Sequence, residues 1–305
     1  MTILDRMLQE LPFNRKELAL LIATAPRRYK VHQIKKRKGG LRTIAQPTAE
    51  VKLLQRWLCK EIISKLPLHD AAIAYRKGGC IKRHAEPHAT HKYLLKLDFK
   101  DFFPSITADA FEVFVKHSRA VLIDQDVEIL RNLLFFQDRS RSGLRLSIGA
   151  PSSPAVSNAM LFTFDQNVHS YCFSKQISYT RYADDMAFST NSPKALDSAY
   201  KFVLDYCEKT EHPKLRLNTE KTVNVSKKFR RELTGLVLSN DGRVTLGREK
   251  RRLIRAMIDR FARGLLGADE TLHLRGLISY ARSIDATIVD LINSRVQPEN
   301  RAKLL

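Results

Sequence analysis

Two adjacent carboxylates, Asp184 and Asp185, constrain this chain more than any other feature. They lie between two apolar runs typical of β-strands, residues 176–179 and 186–189, which places them at the tip of a predicted β-hairpin. Asp is common in hairpin turns, but neighbouring like charges need a cation or a raised pKa to coexist. With a third oxygen ligand, such a pair can hold two Mg²⁺ ions that clamp the attacking and leaving oxygens of a phosphoryl displacement.

A third carboxylate stands at the end of another predicted strand. Residues 92–98 are mostly apolar and end in Asp98, after which an aromatic turn runs over residues 99–106. Asp98 would meet the hairpin tip if the two strands are neighbours. Because Mg²⁺ takes few protein carboxylates and fills its other positions with phosphates and water, this geometry leaves room for a nucleoside triphosphate.

Five segments of the chain resemble the motifs of reverse transcriptases, in the order in which that family carries them. They are the first palm motif at 97–106, the template- and nucleotide-contacting loop at 149–154, the Y-x-D-D hairpin at 182–185, the motif that follows it at 217–222 and the primer-grip strand at 233–236. Each segment alone is a weak signal. Together, in order over about 140 residues, they are a strong one.

Within that family the chain is most similar to the bacterial retron enzymes. It has 305 residues with no segment that matches an endonuclease or ribonuclease H, and it carries Thr234-Gly235 in the primer-grip region. Residues 84–88, His-Ala-Glu-Pro-His, match the Asn-Ala-x-x-His of retron enzymes except at the first position. Ile148 stands where the wider family commonly has Gln, so a hydrogen-bonding amide is missing beside the nucleotide-contacting loop.

The resemblance implies an active site with two Mg²⁺ ions. Asp98, Asp184 and Asp185 would hold the metals, with Phe99 beside them. Lys221 would act on the leaving pyrophosphate, as a general acid or as an electrostatic stabiliser. The alternative for this lysine is a solvent-exposed side chain at the edge of the site.

The same resemblance assigns residues to the incoming dNTP. Arg42 and Lys38, on a predicted basic hairpin, match positions that contact the triphosphate, and Gly149 and Pro151 lie in the nucleotide-contacting loop. Phe103 matches the aromatic side chain that excludes a ribose 2′-OH, since a ring under the sugar leaves no room for another oxygen. The alternatives are a solvated hairpin and a core phenylalanine.

The implied fold is α+β, a right-hand polymerase with an antiparallel palm sheet and a helical thumb. The fingers would span residues 1–95 with part of 107–147. The palm would take 96–106 and 148–240, and the thumb 241–305. Hydrophobic periodicity and capping signals predict helices within these regions. They are expected at 14–23, 51–66, 124–136, 154–171, 195–207, 248–266, 270–284 and 286–295.

The first helix of the predicted thumb, at 248–266, is amphipathic. Its apolar stripe is predicted to contain Leu253, Met257, Phe261 and Leu265. Arg251, Arg252 and Arg255 lie largely off that stripe, and such a basic face suits a nucleic-acid backbone. The resemblance adds Thr234 and Gly235 of the primer grip to the nucleic-acid contacts. A solvated helix face is the alternative for the arginines.

The charge of the chain points to a polyanionic partner. The net charge is +21 and the pI about 10, and neutralising nucleic-acid phosphates releases counterions. The alternative is a basic protein without a partner. Four cysteines without a C-x-x-C indicate a reducing compartment, and no run is apolar enough for a signal peptide or a membrane span. A cytoplasmic location without membrane attachment is therefore expected.

Cys80, His84, His88 and His91 have the spacing of a zinc site. Ligands three or four residues apart can share one face of a helix, and Cys and His are zinc ligands. Pro87 would break that helix, and the chain has no second cysteine pair. A structural or RNA-contacting role for these residues, as in the matching retron stretch, is favoured over zinc.

The retron resemblance also implies partners and products. The template would be a structured noncoding RNA, primed from an internal 2′-OH, and the product a branched RNA–DNA hybrid kept on the enzyme. A separate effector protein would complete an antiphage system. Two other hypotheses stay open: a reverse transcriptase of the group II intron or diversity-generating class, and a non-catalytic RNA-binding scaffold with a polymerase fold.

Overall fold

A computed structural model describes residues 2–36, 39–117 and 123–304 of the protein. The strands in this part of the chain are β1 (Tyr29–Lys35), β2 (Leu41–Pro47), β3 (Tyr93–Asp98), β4 (Phe136–Gln137), β5 (Leu144–Arg145), β6 (Ser178–Tyr182), β7 (Asp185–Thr190), β8 (Val223–Ser226), β9 (Arg231–Leu233), β10 (Leu236–Leu238) and β11 (Val244–Thr245). A four-stranded antiparallel sheet in the order β6-β7-β3-β8 forms the centre. The strands predicted on either side of Asp184 and before Asp98 are thereby confirmed.

Helices surround this sheet. Those in the described residues are α1 (Ile3–Glu10), α2 (Arg15–Thr24), α3 (Ala49–Glu61), α4 (Ile81–Ala85), α5 (Phe102–Ser105), α6 (Ala108–His117), α7 (Asp124–Leu134), α8 (Ser153–Met160), α9 (Phe162–Ser174), α10 (Ala195–Lys209), α11 (Arg248–Ala262), α12 (Ala268–Arg282), α13 (Ile288–Arg295) and α14 (Pro298–Arg301). At the start of α2, Asn14 and Glu17 form the predicted capping box, each side chain accepting from the other's backbone N–H.

The central sheet separates two hydrophobic cores, because alternate residues of a strand face opposite sides. Leu95 and Phe188 lie in the larger core, with buried residues of α1 to α3 and α6 to α10. Leu94 and Ala187 lie in the smaller core, with buried residues of β9, β10 and α11 to α13. The sheet is therefore covered on both faces, and the smaller core ties the C-terminal helices to it.

Three smaller sheets complete the fold. β1 and β2 pair over seven residues as the predicted hairpin, β4 pairs with β5, and β9, β10 and β11 form a three-stranded antiparallel sheet. The turn before β11 is the predicted one at Asp241 and Gly242, where Gly242 has φ +83° and its N–H bonds Ser239 O at 3.1 Å.

Two helix predictions need correction. The single helix predicted at 154–171 is two helices, because Leu161 leaves the helical conformation with φ −89° and ψ 7°. The helix predicted at 248–266 ends at Ala262, and its buried residues are Ile254, Met257 and Ile258. Met257 and Phe261 of the predicted apolar stripe do pack in the smaller core. Leu253 and Leu265 are exposed by 50% and 58%, so for these two residues the predicted stripe was wrong.

The described helices include none that combines the length and the apolar character needed to cross a membrane.

Candidate active site

Three carboxylates meet at one end of the central sheet. β3 and β7 are neighbours, with Asp98 directly opposite Asp185. Ala183 and Asp184 form the tip of the β6–β7 hairpin, where Ala183 takes a left-handed conformation with φ 60°. The backbone N–H of Phe99 donates to Asp184 O at 3.2 Å, which fixes the hairpin tip to the end of β3. The convergence predicted from the sequence is therefore present.

The carboxylates repel one another in a largely buried site. Burial, followed by the charge of Asp98, raises the pKa of Asp184. Burial and the charges of Asp184 and Asp98 raise the pKa of Asp185 to about 6. Lys221 Nζ donates to both oxygens of Asp98, at 2.8 and 2.9 Å. Arg42 and Lys96 also act on Asp184 and Asp185, respectively, but burial and the mutual repulsion of the acids outweigh these cations, because both pKa values remain raised.

This donor set fits Mg²⁺. It offers only carboxylate oxygens, the hard ligands that Mg²⁺ prefers, and a divalent cation would remove the repulsion that raises the pKa values. Among the described residues, no three His, Cys, Asp or Glu side chains form a metal cage by themselves.

A buried ion pair supports the hairpin tip, and sequence reasoning missed it. Arg181 donates to Asp165 at 2.6 and 2.8 Å, and both side chains are fully buried. The same guanidinium donates to Ala183 O at 2.9 Å and to Asn158 Oδ1 at 3.1 Å. Arg181 thus holds the left-handed turn that presents the two aspartates. An arginine in the strand that leads to the aspartates was the signal in the sequence.

Two aromatic side chains, Phe103 and Tyr75, form a pair. Phe103 is half-buried, and its ring centroid is 6.4 Å from that of Tyr75. Tyr75 was also missed by sequence reasoning. It is 50% exposed with φ 62°, a strained conformation for a bulky residue. Burial and the charge of Asp184 raise the pKa of Tyr75. Arg42 also acts electrostatically on Asp184, whereas Lys38 lies outside the described residues.

The remaining residues that were predicted to lie at the nucleotide or metal are Gly149, Pro151 and Phe99. Gly149 has φ +126°, and a Cβ atom there would lie 2.9 Å from Ala45 O. Its lack of a side chain therefore lets the loop approach β2, with Ala45 N donating to Ile148 O at 2.9 Å. Pro151 is half-buried in the same loop. Phe99 is only 2% exposed, and its backbone N–H is bonded to Asp184 O.

The predicted nucleic-acid contacts lie on two elements. Thr234 and Gly235 form the two-residue turn between β9 and β10, with φ 45° and 81°. On α11, Arg252 and Arg255 are exposed, whereas Arg251 forms an ion pair with Asp285. The three arginines are therefore not equivalent.

The histidines of the zinc hypothesis are engaged in other contacts. His88 is fully buried, and its two ring nitrogens bond Ser189 Oγ at 2.7 Å and Thr180 Oγ1 at 2.8 Å. Cys80 caps α4, accepting from Arg83 N at 3.4 Å. These hydrogen bonds account for the spacing that suggested zinc.

A carboxylate triad at a hairpin tip, with an aromatic pair and a basic hairpin on neighbouring segments, is the arrangement expected of a nucleotide-polymerising enzyme. The family model described as "Reverse transcriptase (RNA-dependent DNA polymerase)" matches residues 34–238, and the chain belongs to this family. It is 36% identical over 269 residues to the Retron Ec83 reverse transcriptase of Escherichia coli, covering 88% of this chain and 86% of that protein. The Retron Ec73 enzyme of the same species is 32% identical over 295 residues, 92% of this chain and 90% of that protein. The protein is thus an RNA-directed DNA polymerase of the retron type.

Solved structures support the reverse transcriptase fold alone. Apo telomerase from Candida tropicalis superposes with a TM-score of 0.51 at 12% identity, over 88% of this chain. Telomerase from Candida albicans, in complex with a fragment of telomeric RNA, gives 0.50 at 12% identity, over 90% of this chain. The chain spans 58% and 55% of those two proteins, respectively.

Proposed function

We propose that this enzyme copies a structured noncoding RNA from its own locus into a branched RNA–DNA hybrid, multicopy single-stranded DNA, using an internal 2′-OH of that RNA as primer. One observation carries the proposal: the similarity to retron reverse transcriptases extends over most of both chains. The net charge of +21 supports a long-lived complex with nucleic acid.

The proposed chemistry is the addition of dNTPs to a primer hydroxyl. Asp98, Asp184 and Asp185 would hold two Mg²⁺ ions, which when bound activate the hydroxyl and neutralise the triphosphate. Phe103 would exclude the ribose 2′-OH of a ribonucleotide. Lys221 would supply positive charge, or a proton, to the leaving pyrophosphate. Catalysis then rests on positioning and electrostatics, as in phosphoryl transfer generally.

The proposed subdomains follow the sequence boundaries. Residues 1–95, with part of 107–147, would form the fingers, in which Arg42 and the β1–β2 hairpin cover the nucleotide. The palm would comprise 96–106 and 148–240, and the thumb 241–305. The exposed arginines of α11 would follow the RNA backbone, because stem-loops are recognised mainly by shape and phosphate contacts.

The proposal extends to partners. The enzyme would keep its RNA and the DNA product bound, act in the cytoplasm and work with a separate effector protein in defence against phage. The resemblance to retrons alone motivates the effector and the defence role.

The test is to express the chain with about a kilobase of its native upstream DNA and to extract the copurifying nucleic acid. The extract is treated with ribonuclease and with debranching enzyme. A protein with Asp184→Ala and Asp185→Ala, expressed from the same DNA, is the control.

A discrete small DNA that shifts on debranching and is missing from the control supports the proposal. Unbranched DNA that is lost in the control indicates priming of another class. RNA alone in both samples would favour an RNA-binding scaffold.

A further inference from the structure

A continuous row of buried side chains crosses one face of the central sheet. His84 Nδ1 and Thr180 Oγ1 lie 2.7 Å apart, and Thr180 Oγ1 lies 2.8 Å from His88 Nε2. His88 Nδ1 is 2.7 Å from Ser189 Oγ, which is 2.8 Å from His91 Nδ1. The first four of these side chains are at most 6% exposed. Thr180 on β6 and Ser189 on β7 are thereby joined through the segment that holds the three histidines.

The hydrogen bonds of this row have a preferred direction, which means that one atom of each pair is the donor. Burial lowers the pKa of His84 to about 3 and that of His88 well below its ordinary value, so both rings are neutral. Each hydroxyl has one proton and lies between two ring nitrogens; Thr180 Oγ1 also lies 3.3 Å from His84 O, a longer and therefore weaker alternative to His88 Nε2 at 2.8 Å. If His84 donates to Thr180, then Thr180 donates to His88, His88 to Ser189 and Ser189 to His91. Every step of this order uses one proton.

The opposite order would leave a buried N–H at His84 Nε2, which has no hydrogen-bond partner among the described residues. An unpaired buried donor costs about 1–3 kcal/mol, and orphaned N–H groups are rarer in proteins than orphaned acceptors. The hydrogen bonds of the row therefore all run in one direction, and this arrangement requires the histidines to be neutral.

Each end of this row of hydrogen bonds lies next to a functional element. The ring of His84 lies 5.7 Å from that of Tyr182, the residue that precedes the hairpin tip. At the other end, the buried guanidinium of Arg231, at the start of β9, donates to four backbone carbonyls. They belong to His91, Ala89 at 3.3 Å, Leu238 at 3.4 Å and Ser239 at 3.0 Å. Arg231 thus attaches the histidine segment to the β9–β10 hairpin.

We propose that His84, Thr180, His88, Ser189, His91 and Arg231, which we call the histidine clasp, are positioning residues that fix the β9–β10 turn relative to the catalytic hairpin. Both strands of that hairpin and the base of the β9–β10 hairpin are bonded to the same segment, so the clasp sets the distance from the carboxylates to the nucleic acid at the turn. This role rests on the proposed contact of Thr234 and Gly235 with nucleic acid.

The test compares three variants, of which two each remove one buried hydroxyl group and the third keeps it. Thr180→Val breaks the clasp without changing the side-chain shape, and Thr180→Ser keeps the hydroxyl. Thr190→Val is the matched control, because Thr190 is 1% exposed on β7 but bonds Gln176 O at 3.2 Å, outside the clasp. The assay extends a DNA primer annealed to an RNA template, well below the melting temperature, and yields kcat and separate KM values for template–primer and dNTP. A supplied primer makes the result independent of 2′-OH priming.

We expect Thr180→Val to raise the KM for template–primer on the order of tenfold, since misplacing bound groups by an ångström is costly. The KM for dNTP should stay unchanged, and Thr180→Ser and Thr190→Val should behave as wild type. Equal kinetics for Thr180→Val and Thr190→Val would overturn the proposal, as would a parallel rise of both KM values.

A second measurement covers the case in which Thr180→Val does not fold. Ser189→Ala, Arg231→Lys and their combination form a double-mutant cycle on the KM for template–primer. Residues of one network couple, whereas independent sites add. A combined effect smaller than the product of the single effects supports the clasp, and a fully multiplicative effect contradicts it.

Discussion

Lys221 and Asp98 form a two-pronged ion pair at the centre of the site, with Lys221 Nζ 2.8 and 2.9 Å from the two carboxylate oxygens. Burial opposes the charge of Lys221, but the hydrogen bond and the charge of Asp98 outweigh it, so its pKa is raised. The Lys221 side chain is 51% exposed, whereas that of Asp98 is 6% exposed. A charged, half-exposed lysine beside a fixed acid can turn toward a developing negative charge.

Replacing Lys221 should therefore slow the chemical step. We expect Lys221→Ala to lower kcat by roughly a hundredfold, in the range of a lost acid or electrostatic stabiliser. Lys221→Arg keeps the charge but cannot readily give up a proton. Single-turnover extension separates the two roles: recovery with arginine indicates a stabiliser, and no recovery a general acid. Wild-type rates in Lys221→Ala would leave the lysine as a counterion of Asp98 only.

The Arg181–Asp165 pair should matter for both stability and activity. Arg181→Met leaves Asp165 buried without its partner, which typically costs about 3–5 kcal/mol in the free energy of unfolding. The double variant Arg181→Met/Asp165→Leu should lose less, because no uncompensated charge remains. Urea denaturation of the three proteins measures this difference. An equal loss in the single and double variants would show that the pair contributes through packing alone.

The sequence predicted those parts of the site that are contiguous in the chain. Asp98 ends β3, Asp185 begins β7 and Asp184 precedes it at the hairpin tip, so the strand pattern marked all three, and two antiparallel strands bring them together. Arg181 and Asp165 escaped detection because their contact joins β6 to α9, and nothing local marks the pairing. A charged residue in a buried strand indicates that a partner exists without indicating where.

The same limit applies to the histidines and to the thumb. Cys80, His84, His88 and His91 have zinc-like spacing, but Thr180 and Ser189, far along the chain, provide the actual partners of His88. On α11, Ile254 and Ile258 are buried instead of Leu253, because α12 and α13 pack against this helix and decide which side is buried. Tertiary packing therefore determines both the partners of the histidines and the buried side of α11.

Removing the Phe103 ring should relax sugar selectivity. Its half-buried ring lies against Tyr75, and under the proposed role of Phe103 the change Phe103→Ala would leave space for a 2′-OH. We expect higher incorporation of ribonucleotides, measured as the ratio of kcat/KM for dNTP and NTP. Phe102→Leu is the control, since Phe102 is a core residue 7% exposed. Unchanged selectivity in Phe103→Ala would exclude Phe103 as the selecting residue.

Acid should destabilise the protein through the buried histidines. The pKa of His84 is about 3 in the folded state against an ordinary 6.5, so the unfolded state binds more protons between these values. The free energy of unfolding should therefore fall as the pH drops from about 6.5 toward 3, by up to about 1.4 kcal/mol per pH unit for each such histidine.

The titration of Asp185, whose pKa is raised to about 6, has the opposite sign. The measurement is therefore a comparison of wild type with His88→Gln, which cannot be protonated and leaves Asp185 in place. We expect the loss of stability on acidification to be smaller in the variant. Parallel curves would mean that His88 takes up no extra proton on unfolding.

The arginines of α11 should contribute unequally to RNA binding. Arg252 and Arg255 are exposed, whereas Arg251 is held by Asp285 and must give up that ion pair to reach a phosphate. Each contact with a phosphate contributes about 0.9 to the slope of log affinity against log salt on duplexes, and less on single strands. Arg252→Ala and Arg255→Ala should therefore each lower the slope by roughly one, and Arg251→Ala by less.

The control for these variants is Lys201→Ala, which removes an exposed charge on α10. Removing a distant charge leaves the number of phosphate contacts unchanged, so the slope of log affinity against log salt in Lys201→Ala should equal that of wild type. Reduced slopes in the α11 variants beside this unchanged control would assign the helix to the RNA backbone. An unchanged slope in the combined Arg251, Arg252 and Arg255 to Ala variant would remove the assignment.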